Sequence, residues 1–234
     1  TDNQFALQGF ILDNSRPGII ASEVGVNGAT VGAFLQCTNF AKQINYYQPD
    51  LLVLSFGTND IYNTNYNDST FYRHYDSLLT SIRRAMPYTS IVLTTPGDCK
   101  RNRKTTIRAS LAARKIIIAL AKKHNCAIWD FLKVMGGVNS IEHWVANGLG
   151  NGDKIHLSEK GYNLMGSLFY NALAEGYDAH TKGWKVQVIE ENTENIFGKW
   201  EDGRLVGPNM NKVEAVYGTN VREALEDSIY RMIN

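Results

Sequence analysis

Residues 51–60 read LLVLSFGTND, an apolar run that stops at Gly57 and gives way to polar residues. A continuous apolar run of this length is typical of a strand that is covered on both faces, as in a parallel sheet. The polar residues after Gly57 then lie at the carboxyl end of that strand, which is where open α/β sheets bind their ligands. This stretch therefore predicts both an α/β fold and one edge of a functional site.

Strand and helix patterns alternate on both sides of this run. Because the helices are long enough to be crossovers, the order predicts a parallel sheet between two layers of helices. Helices are predicted over Val31–Tyr47, Phe71–Met86, Thr105–His124 and Ser158–Glu175, with Ser158 as an N-cap, and further strands over Gly18–Val26, Ser90–Thr95 and Cys126–Asp130.

The last part of the chain has a different pattern. Alternating apolar residues predict a strand over 184–188, an Asp-Gly pair predicts a turn at 201–203, and a capping-box pattern starts an amphipathic helix over 220–232. We therefore expect a main domain over residues 1–180 and a C-terminal extension over residues 181–234. The apolar stripe of the last helix indicates packing on the main domain or contact with a partner.

Composition excludes several kinds of partner and ligand. The formal net charge of +1 gives no overall field that would draw the chain to nucleic acid, so a neutral or weakly charged substrate fits better. No apolar run approaches the roughly 20 residues of a membrane span. Three cysteines without metal-ligand spacing predict no disulfide framework and no metal, and no cofactor is expected. The basic cluster over residues 100–108 is interpreted as a solvated rim.

Three parts of an acyl-transfer site can be assigned to residues of this chain. His156 is the candidate general base, and Asp153, three residues earlier in a glycine-rich loop, is placed to orient its imidazole. Asn59 follows a strand end and could aim its side-chain amide at an oxyanion, while Gly28 could offer an unobstructed backbone N–H. The pattern predicts that these groups converge on one crevice.

These residues lie in three blocks that resemble the SGNH, or GDSL-type, ester hydrolase family. Gly25–Thr30 is similar to its glycine block, Gly57–Asp60 to its Gly-X-Asn-Asp block, and Asp153–His156 to its Asp-X-X-His block. The resemblance runs from about Gly18 to Glu175. It implies a flavodoxin-like α/β/α fold, with His156 and Asp153 catalytic and with Gly28 and Asn59 in the oxyanion hole.

The family's Gly-Asp-Ser block is missing before Gly25. Ser15 and Ser22 are poor substitutes, since one lies in a loop beside a proline and the other in an apolar run. We therefore expect the nucleophilic serine and the first strand to lie upstream of Thr1, so that the chain as given is inactive and its neighbouring strand has an open edge. A thiol nucleophile, Cys99 paired with His156, is a further alternative.

Within the family, Trp129–Asp130 and Met135–Gly137 resemble the branch that acts on acetylated carbohydrate, including cell-wall glycans. That resemblance implies removal of O-acetyl or similar short acyl groups, and a periplasmic or secreted location in a bacterium. Tyr62 and Trp144 could stack on sugar rings or could equally pack the loops. The alternative to an enzyme is a carbohydrate-binding or scaffold module of the same fold that does not catalyse.

Overall fold

The computed structural model describes residues 18–181 and the two short strands at 199–201 and 204–206. Among these residues, no helix has the length and apolar character needed to cross a bilayer. The helices are α1 (Val31–Gln36), α2 (Phe40–Ile44), α3 (Thr58–Tyr62), α4 (Asp68–Ala85), α5 (Ala109–His124), α6 (Phe131–Met135), α7 (Ser140–Ala146) and α8 (Glu159–Thr181). The strands are β1 (Leu51–Ser55), β2 (Ser90–Thr94), β3 (Lys100–Arg101), β4 (Thr105–Thr106), β5 (Ala127–Trp129), β6 (Lys199–Glu201) and β7 (Arg204–Val206).

The central sheet has the order β1-β2-β5, and all of its strands are parallel. Their last residues share one register, with Ser55 opposite Thr94 and Thr94 opposite Trp129. The carboxyl ends of the strands therefore form one edge, from which the loops that carry the candidate site continue. This arrangement confirms the predicted α/β fold with a parallel sheet.

Separate hydrophobic clusters cover the two faces of the sheet at β2. On β2, Ile91 and Leu93 belong to a cluster shared with α1, α4 and α5, whereas Val92 belongs to a cluster shared with α6, α7 and α8. Alternate residues of a strand point to opposite faces, so β2 contributes to both layers. The apolar run in β2 is explained by burial on both sides.

The predicted strand over Gly18–Val26 is wrong. This segment is exposed along its whole length and pairs with no strand among the described residues. Within the same part of the chain, β1 pairs with β2 alone, and the edge residues Leu51 and Val53 are exposed. A strand forms only where a neighbouring strand pairs with its backbone N–H and C=O groups. The apolar composition of residues 18–26 does not show whether such a neighbour is present.

The predicted helix over Val31–Tyr47 is interrupted. α1 ends at Gln36, α2 begins after Asn39, and a 3-10 turn follows at Asn45–Tyr47. The break falls at Thr38 and Asn39, two residue types that are less favourable than leucine or alanine inside a helix and are common in turns.

The longer helices are confirmed with shifted ends. α5 starts at Ala109 and not at Thr105, because Thr105 and Thr106 pair with β3 in a short antiparallel hairpin. In the C-terminal extension, β6 pairs antiparallel with β7 and Glu201 lies opposite Arg204. Residues 202–203 of the turn predicted at 201–203 lie outside the described residues. The predicted strand over 184–188 and the predicted helix over 220–232 lie outside the described residues.

Candidate active site

The glycine block forms a tight turn next to the sheet. The Ala29 N–H donates to the Val26 carbonyl at 3.1 Å, and Gly28 has a φ of +74° at the third position of the turn. A positive φ at that position is typical of a type II turn and favours glycine. A Cβ on Gly28 would meet no atom within 4 Å, so the backbone conformation and not the space requires glycine here.

The Gly-X-Asn-Asp block is bonded directly to this turn. The Asn59 side-chain amide donates to the Ala29 carbonyl at 2.9 Å, and the carboxylate of Asp60 accepts the Val31 N–H at 3.1 Å. Gly57 has a φ of +116°, and a Cβ there would come within 3.3 Å of Pro96. These contacts place the Asn59 amide beside Gly28, with a second amide hydrogen left for a ligand.

Asp153 and His156 form a hydrogen-bonded pair in the loop before α8. Asp153 Oδ2 lies 2.8 Å from His156 Nδ1, while Oδ1 accepts the N–H groups of Ile155 at 2.9 Å and His156 at 3.0 Å. One carboxylate therefore fixes both the backbone of the loop and the orientation of the imidazole. The His156 side chain is 63% exposed, so its other nitrogen, Nε2, is open to a reacting group.

The charge state of Asp153 sets the tautomer of His156. Burial raises the pKa of Asp153, but the hydrogen bonds from the His156 ring and from the N–H groups of Ile155 and His156 outweigh it, and the net pKa is lowered. An ionised carboxylate can only accept a hydrogen bond, so Nδ1 of His156 carries the proton in the pair. Nε2 of the neutral ring then holds the lone pair that a general base needs.

Backbone hydrogen bonds and the side chain of Ser158 fix the loop that carries this pair. The Lys154 N–H donates to the Asn151 carbonyl at 2.9 Å, and the Asn151 N–H donates to the His156 carbonyl at 2.8 Å. Ser158 Oγ donates to the Gly148 carbonyl at 2.7 Å and accepts the Gly161 N–H at 3.2 Å, which confirms the predicted N-cap. The imidazole is thus held on a rigid support.

Strand β3 connects the two halves of the site. The Lys100 N–H donates to the Lys154 carbonyl at 2.9 Å, inside the Asp153–His156 loop. The Arg101 guanidinium donates to the carbonyls of Ile61 at 3.0 Å and Tyr62 at 2.9 Å, at the end of the helix that carries Asn59. The loop that carries His156 thus contacts Lys100, and the helix that carries Asn59 contacts the next residue, Arg101.

An ion network strengthens this connection. The Glu142 carboxylate on α7 pairs with the ammonium groups of Lys100 and Lys154, the latter at 2.8 Å. These two hydrogen bonds outweigh burial and lower the pKa of Glu142. Lys100 and Arg101 are thus internally bonded, so the interpretation of the whole basic cluster as a solvated rim is wrong for its first two members. No pattern in the sequence signals these contacts, because they join segments far apart along the chain.

The two aromatic residues predicted to contact sugar have other partners. Trp144 is 4% exposed, belongs to the second hydrophobic cluster, and donates its indole N–H to the Met135 carbonyl at 2.8 Å. It therefore packs the loops, which is the second of the two alternatives, because its ring is closed off from solvent. Tyr62 is half-buried and lies under the Arg101 guanidinium, 5.8 Å from the ring centroid.

The alternative thiol nucleophile does not fit the site. Cys99 is buried, and desolvation raises the pKa of its thiol to about 12, so it does not form a thiolate near neutral pH. Ser22 lies in the exposed segment before the glycine block, and Ser15 lies outside the described residues. Within the described part of the chain, no group of three or more His, Cys, Asp or Glu side chains is arranged to hold a metal ion.

Gly161 is required for the contact between α8 and the loop that precedes it, and its replacement provides a stability test. A Cβ at Gly161 would lie 1.9 Å from the Leu149 carbonyl oxygen, whereas a Cβ at Gly166 in the same helix would meet nothing within 4 Å. We expect Gly161→Ala to lower the free energy of unfolding by about 1–3 kcal/mol through overpacking. Gly166→Ala, the matched control, should raise it by about 0.5–1 kcal/mol. Urea unfolding of both variants measures this, and equal stabilities would contradict the packing described.

The chain is similar to known proteins of one family. The profile of the GDSL-like Lipase/Acylhydrolase family matches residues 9–164. Among solved structures, a peptidoglycan O-acetylesterase is 23% identical with a TM-score of 0.55, over 58% of this chain and 40% of that one. The chain thus spans less than half of that protein's length.

Two other solved structures match with lower TM-scores. A lipase/acylhydrolase from Enterococcus faecalis is 23% identical over 61% of this chain and 69% of that one, with a TM-score of 0.48. The acetyl xylan esterase AlAXEase is 19% identical over 59% and 73%, with a TM-score of 0.45. No curated protein matches the chain significantly. At these identities the structural likeness concerns the fold, while the family profile covers most of the chain: this protein belongs to the GDSL-like lipase/acylhydrolase family.

Proposed function

We propose that this protein is a serine ester hydrolase that removes O-acetyl or similar short acyl groups from carbohydrate. The observation that carries the proposal is the Asp153–His156 pair, with an ionised carboxylate 2.8 Å from Nδ1 and an exposed imidazole. Membership of an acylhydrolase family supports the reaction class. The Asn59 amide beside the Gly28 turn supports an oxyanion hole within the same fold.

Each side chain has one role in the proposed reaction. A serine hydroxyl attacks the ester carbonyl carbon, and Nε2 of His156 takes the hydroxyl proton. The Gly28 N–H and the free amide hydrogen of Asn59 stabilise the oxyanion of the tetrahedral intermediate. The protonated His156 then gives its proton to the sugar oxygen as the bond from that oxygen to the acyl carbon breaks, so the sugar leaves as an alcohol and the acyl group stays on the serine. Water attacks this acyl-enzyme with the same help from His156 and releases the free acid. Asp153 stabilises the imidazolium throughout without accepting its proton.

The nucleophile of this proposal is a serine upstream of Thr1, because the sequence contains no Gly-Asp-Ser segment. The test is to add the natural residues encoded before Thr1 and to measure acetate release from p-nitrophenyl acetate. The proposal requires a turnover well above the uncatalysed rate that depends on the added serine. Equal rates for the extended chain and its serine-to-alanine variant would refute it.

The substrate class is proposed from the resemblance of Trp129–Asp130 and Met135–Gly137 to the branch that acts on acetylated carbohydrate. The activity named for the peptidoglycan O-acetylesterase, which shares the fold, agrees with it. We propose the same chemical class for this chain, with a periplasmic or secreted location in a bacterium. The extended protein is tested in parallel on O-acetylated peptidoglycan and on acetylated xylan. The polymer from which it releases acetate identifies the substrate within this class. Hydrolysis of p-nitrophenyl acetate with no release from either polymer would remove carbohydrate from the proposal.

The second candidate function is a carbohydrate-binding module that does not catalyse. Such a module would bind glycan equally well after His156→Ala and Asn59→Ala, and its N-terminal extension would release no acetate.

Asn59→Ala tests the proposed oxyanion hole. Removing one oxyanion donor typically lowers kcat by about 10²–10³-fold while KM changes little, because the donor acts mainly on the transition state. We expect this result with the extended protein and p-nitrophenyl acetate. Asn63→Ala, an exposed position just beyond the same helix, is the control and should keep wild-type kcat. A kcat within threefold of wild type for Asn59→Ala would contradict the assignment.

A further inference from the structure

Helix α8 carries three strongly exposed tyrosines that the proposed reaction does not use. Tyr162, Tyr170 and Tyr177 are 53%, 64% and 69% exposed. At 3.6 residues per turn they lie within about 80° of one another around the helix axis, so they share one face. Exposed aromatic residues that line up on one surface mark a binding site more often than isolated ones do.

The spacing of the rings is regular. At a rise of about 1.5 Å per residue, Tyr162 and Tyr170 are about 12 Å apart along the axis, and Tyr170 and Tyr177 about 10.5 Å apart. These separations are comparable to the disaccharide repeat of a β-1,4-linked glycan, in which every second ring presents the same face. The negative face of an aromatic ring attracts the slightly positive C–H groups of a pyranose, and the phenol hydroxyl can bond to sugar hydroxyls.

The helix surface between the rings of Tyr162 and Tyr170 has no side chain at its centre. Gly166 lies midway between Tyr162 and Tyr170, and a Cβ there would meet no atom within 4 Å. Packing therefore does not require glycine at this position, although glycine inside a helix is unfavourable. The exposed polar residues Asn163 and Ser167 border this floor on one side. An open floor without a side chain, bordered by hydrogen-bonding groups, leaves room for a sugar ring and offers partners for its hydroxyls.

This face begins in the first turn of α8, directly after the loop that carries His156. α8 begins three residues after His156, and the Tyr162 N–H donates to the Ser158 carbonyl at 2.9 Å, in the turn that caps the helix. A polymer lying on the three rings would therefore extend away from the site along the helix.

We infer that the exposed face of α8, formed by Tyr162, Gly166, Tyr170 and Tyr177, binds a linear β-1,4-linked glycan chain next to the active site. Each tyrosine stacks on one pyranose of successive disaccharides, and Gly166 leaves room for the ring between them. This inference rests on the proposed function, since it concerns the same carbohydrate substrate.

Binding of acetyl-free polymers by the chain as it stands tests the inference. The probes are soluble unsubstituted xylan, by affinity electrophoresis, and de-O-acetylated peptidoglycan, by sedimentation. The wild-type chain should bind at least one of them, and the response of the two probes identifies the polymer. Each of Tyr162→Ala, Tyr170→Ala and Tyr177→Ala should weaken binding about five- to tenfold. Tyr88→Ala removes a 97% exposed tyrosine that precedes β2, at the opposite end of the sheet, and should bind like wild type.

Gly166→Leu separates the binding role from folding. Leucine is a good helix former and its Cβ would meet no atom within 4 Å here, so the midpoint of thermal unfolding should rise by about 2–4 °C. Because its side chain fills the floor between Tyr162 and Tyr170, binding should fall at least as much as in the tyrosine variants. Lower binding in a more stable protein cannot be explained by unfolding.

Several outcomes would overturn the inference. The first is that the wild-type chain binds neither probe. The second is that the tyrosine and Gly166→Leu variants bind as well as wild type. The third is that the chain forms a concentration-dependent dimer that the tyrosine variants abolish. His156→Ala removes hydrolysis in the proposed function but should leave binding of acetyl-free polymers unchanged. The glycan surface and the esterase assignment therefore fail separately.

Discussion

His156→Ala is expected to lower kcat for p-nitrophenyl acetate by about 10³-fold or more, in the protein extended to include its nucleophile. The imidazole combines an exposed lone pair with an ionised carboxylate on its other nitrogen, which is the arrangement that a general base requires. Since the ring is mostly exposed, removing it costs little packing, so circular dichroism and the thermal midpoint should stay near wild type. Steady-state kinetics at neutral pH measure the effect.

A second His–Asp pair in the same fold provides the matched control. His124 Nε2 lies 2.7 Å from Asp76 Oδ1, at the end of α5 that leads into the amino end of β5. The candidate site lies at the carboxyl ends of the strands, so this pair is remote from it. His124→Gln should therefore keep wild-type kcat per folded molecule, even if the unfolding midpoint falls. A comparable loss in both variants, or a loss below tenfold in His156→Ala, would contradict the role of His156 as the base.

The parts of the fold that could be predicted from the sequence depend on local patterns. The run that forms β2 is apolar because both faces of the sheet are covered there, and burial of this kind is visible in composition alone. The run that forms β1 has the same composition, yet Leu51 and Val53 are exposed, so the expectation that both of its faces are covered is wrong for one face. The pairing of Asp153 with His156 is also local, since the two residues are three positions apart in one turn. A short loop can bring such groups together without help from the rest of the chain.

The parts that could not be predicted depend on distant partners. Gly18–Val26 has the composition of a strand, but a strand exists only where a neighbour pairs with it. Lys100 and Arg101 look like surface cations, yet they bind Glu142 and the carbonyls of Ile61 and Tyr62 across the fold. Neither composition nor periodicity records which carbonyl a long cationic side chain will reach.

Asp153→Asn is expected to lower kcat by about 10³–10⁴-fold while the fold and the loop remain intact. The asparagine Oδ1 can still accept the N–H groups of Ile155 and His156, which lie 2.9 and 3.0 Å from the carboxylate oxygen. Its amide nitrogen, however, donates to the ring and so favours the tautomer in which Nε2 carries the proton. Nε2 would then no longer be free to accept the proton of the nucleophile. Asp76→Asn, the same change in the remote pair, should leave kcat unchanged.

The pH dependence of the Asp153–His156 hydrogen bond gives a second test of the role of Asp153. The folded pKa of Asp153 lies below its ordinary value, so the stabilisation from its ionised form is present above the unfolded carboxyl pKa and is lost as pH falls through the folded one. The Nδ1 proton of His156 should therefore give a downfield NMR resonance at neutral pH that disappears in acid. Asp153→Asn should lack that resonance at every pH, because an amide nitrogen cannot accept the ring proton. A resonance that persists in Asp153→Asn would show that another group orients His156, and the kinetic loss would then need a different cause.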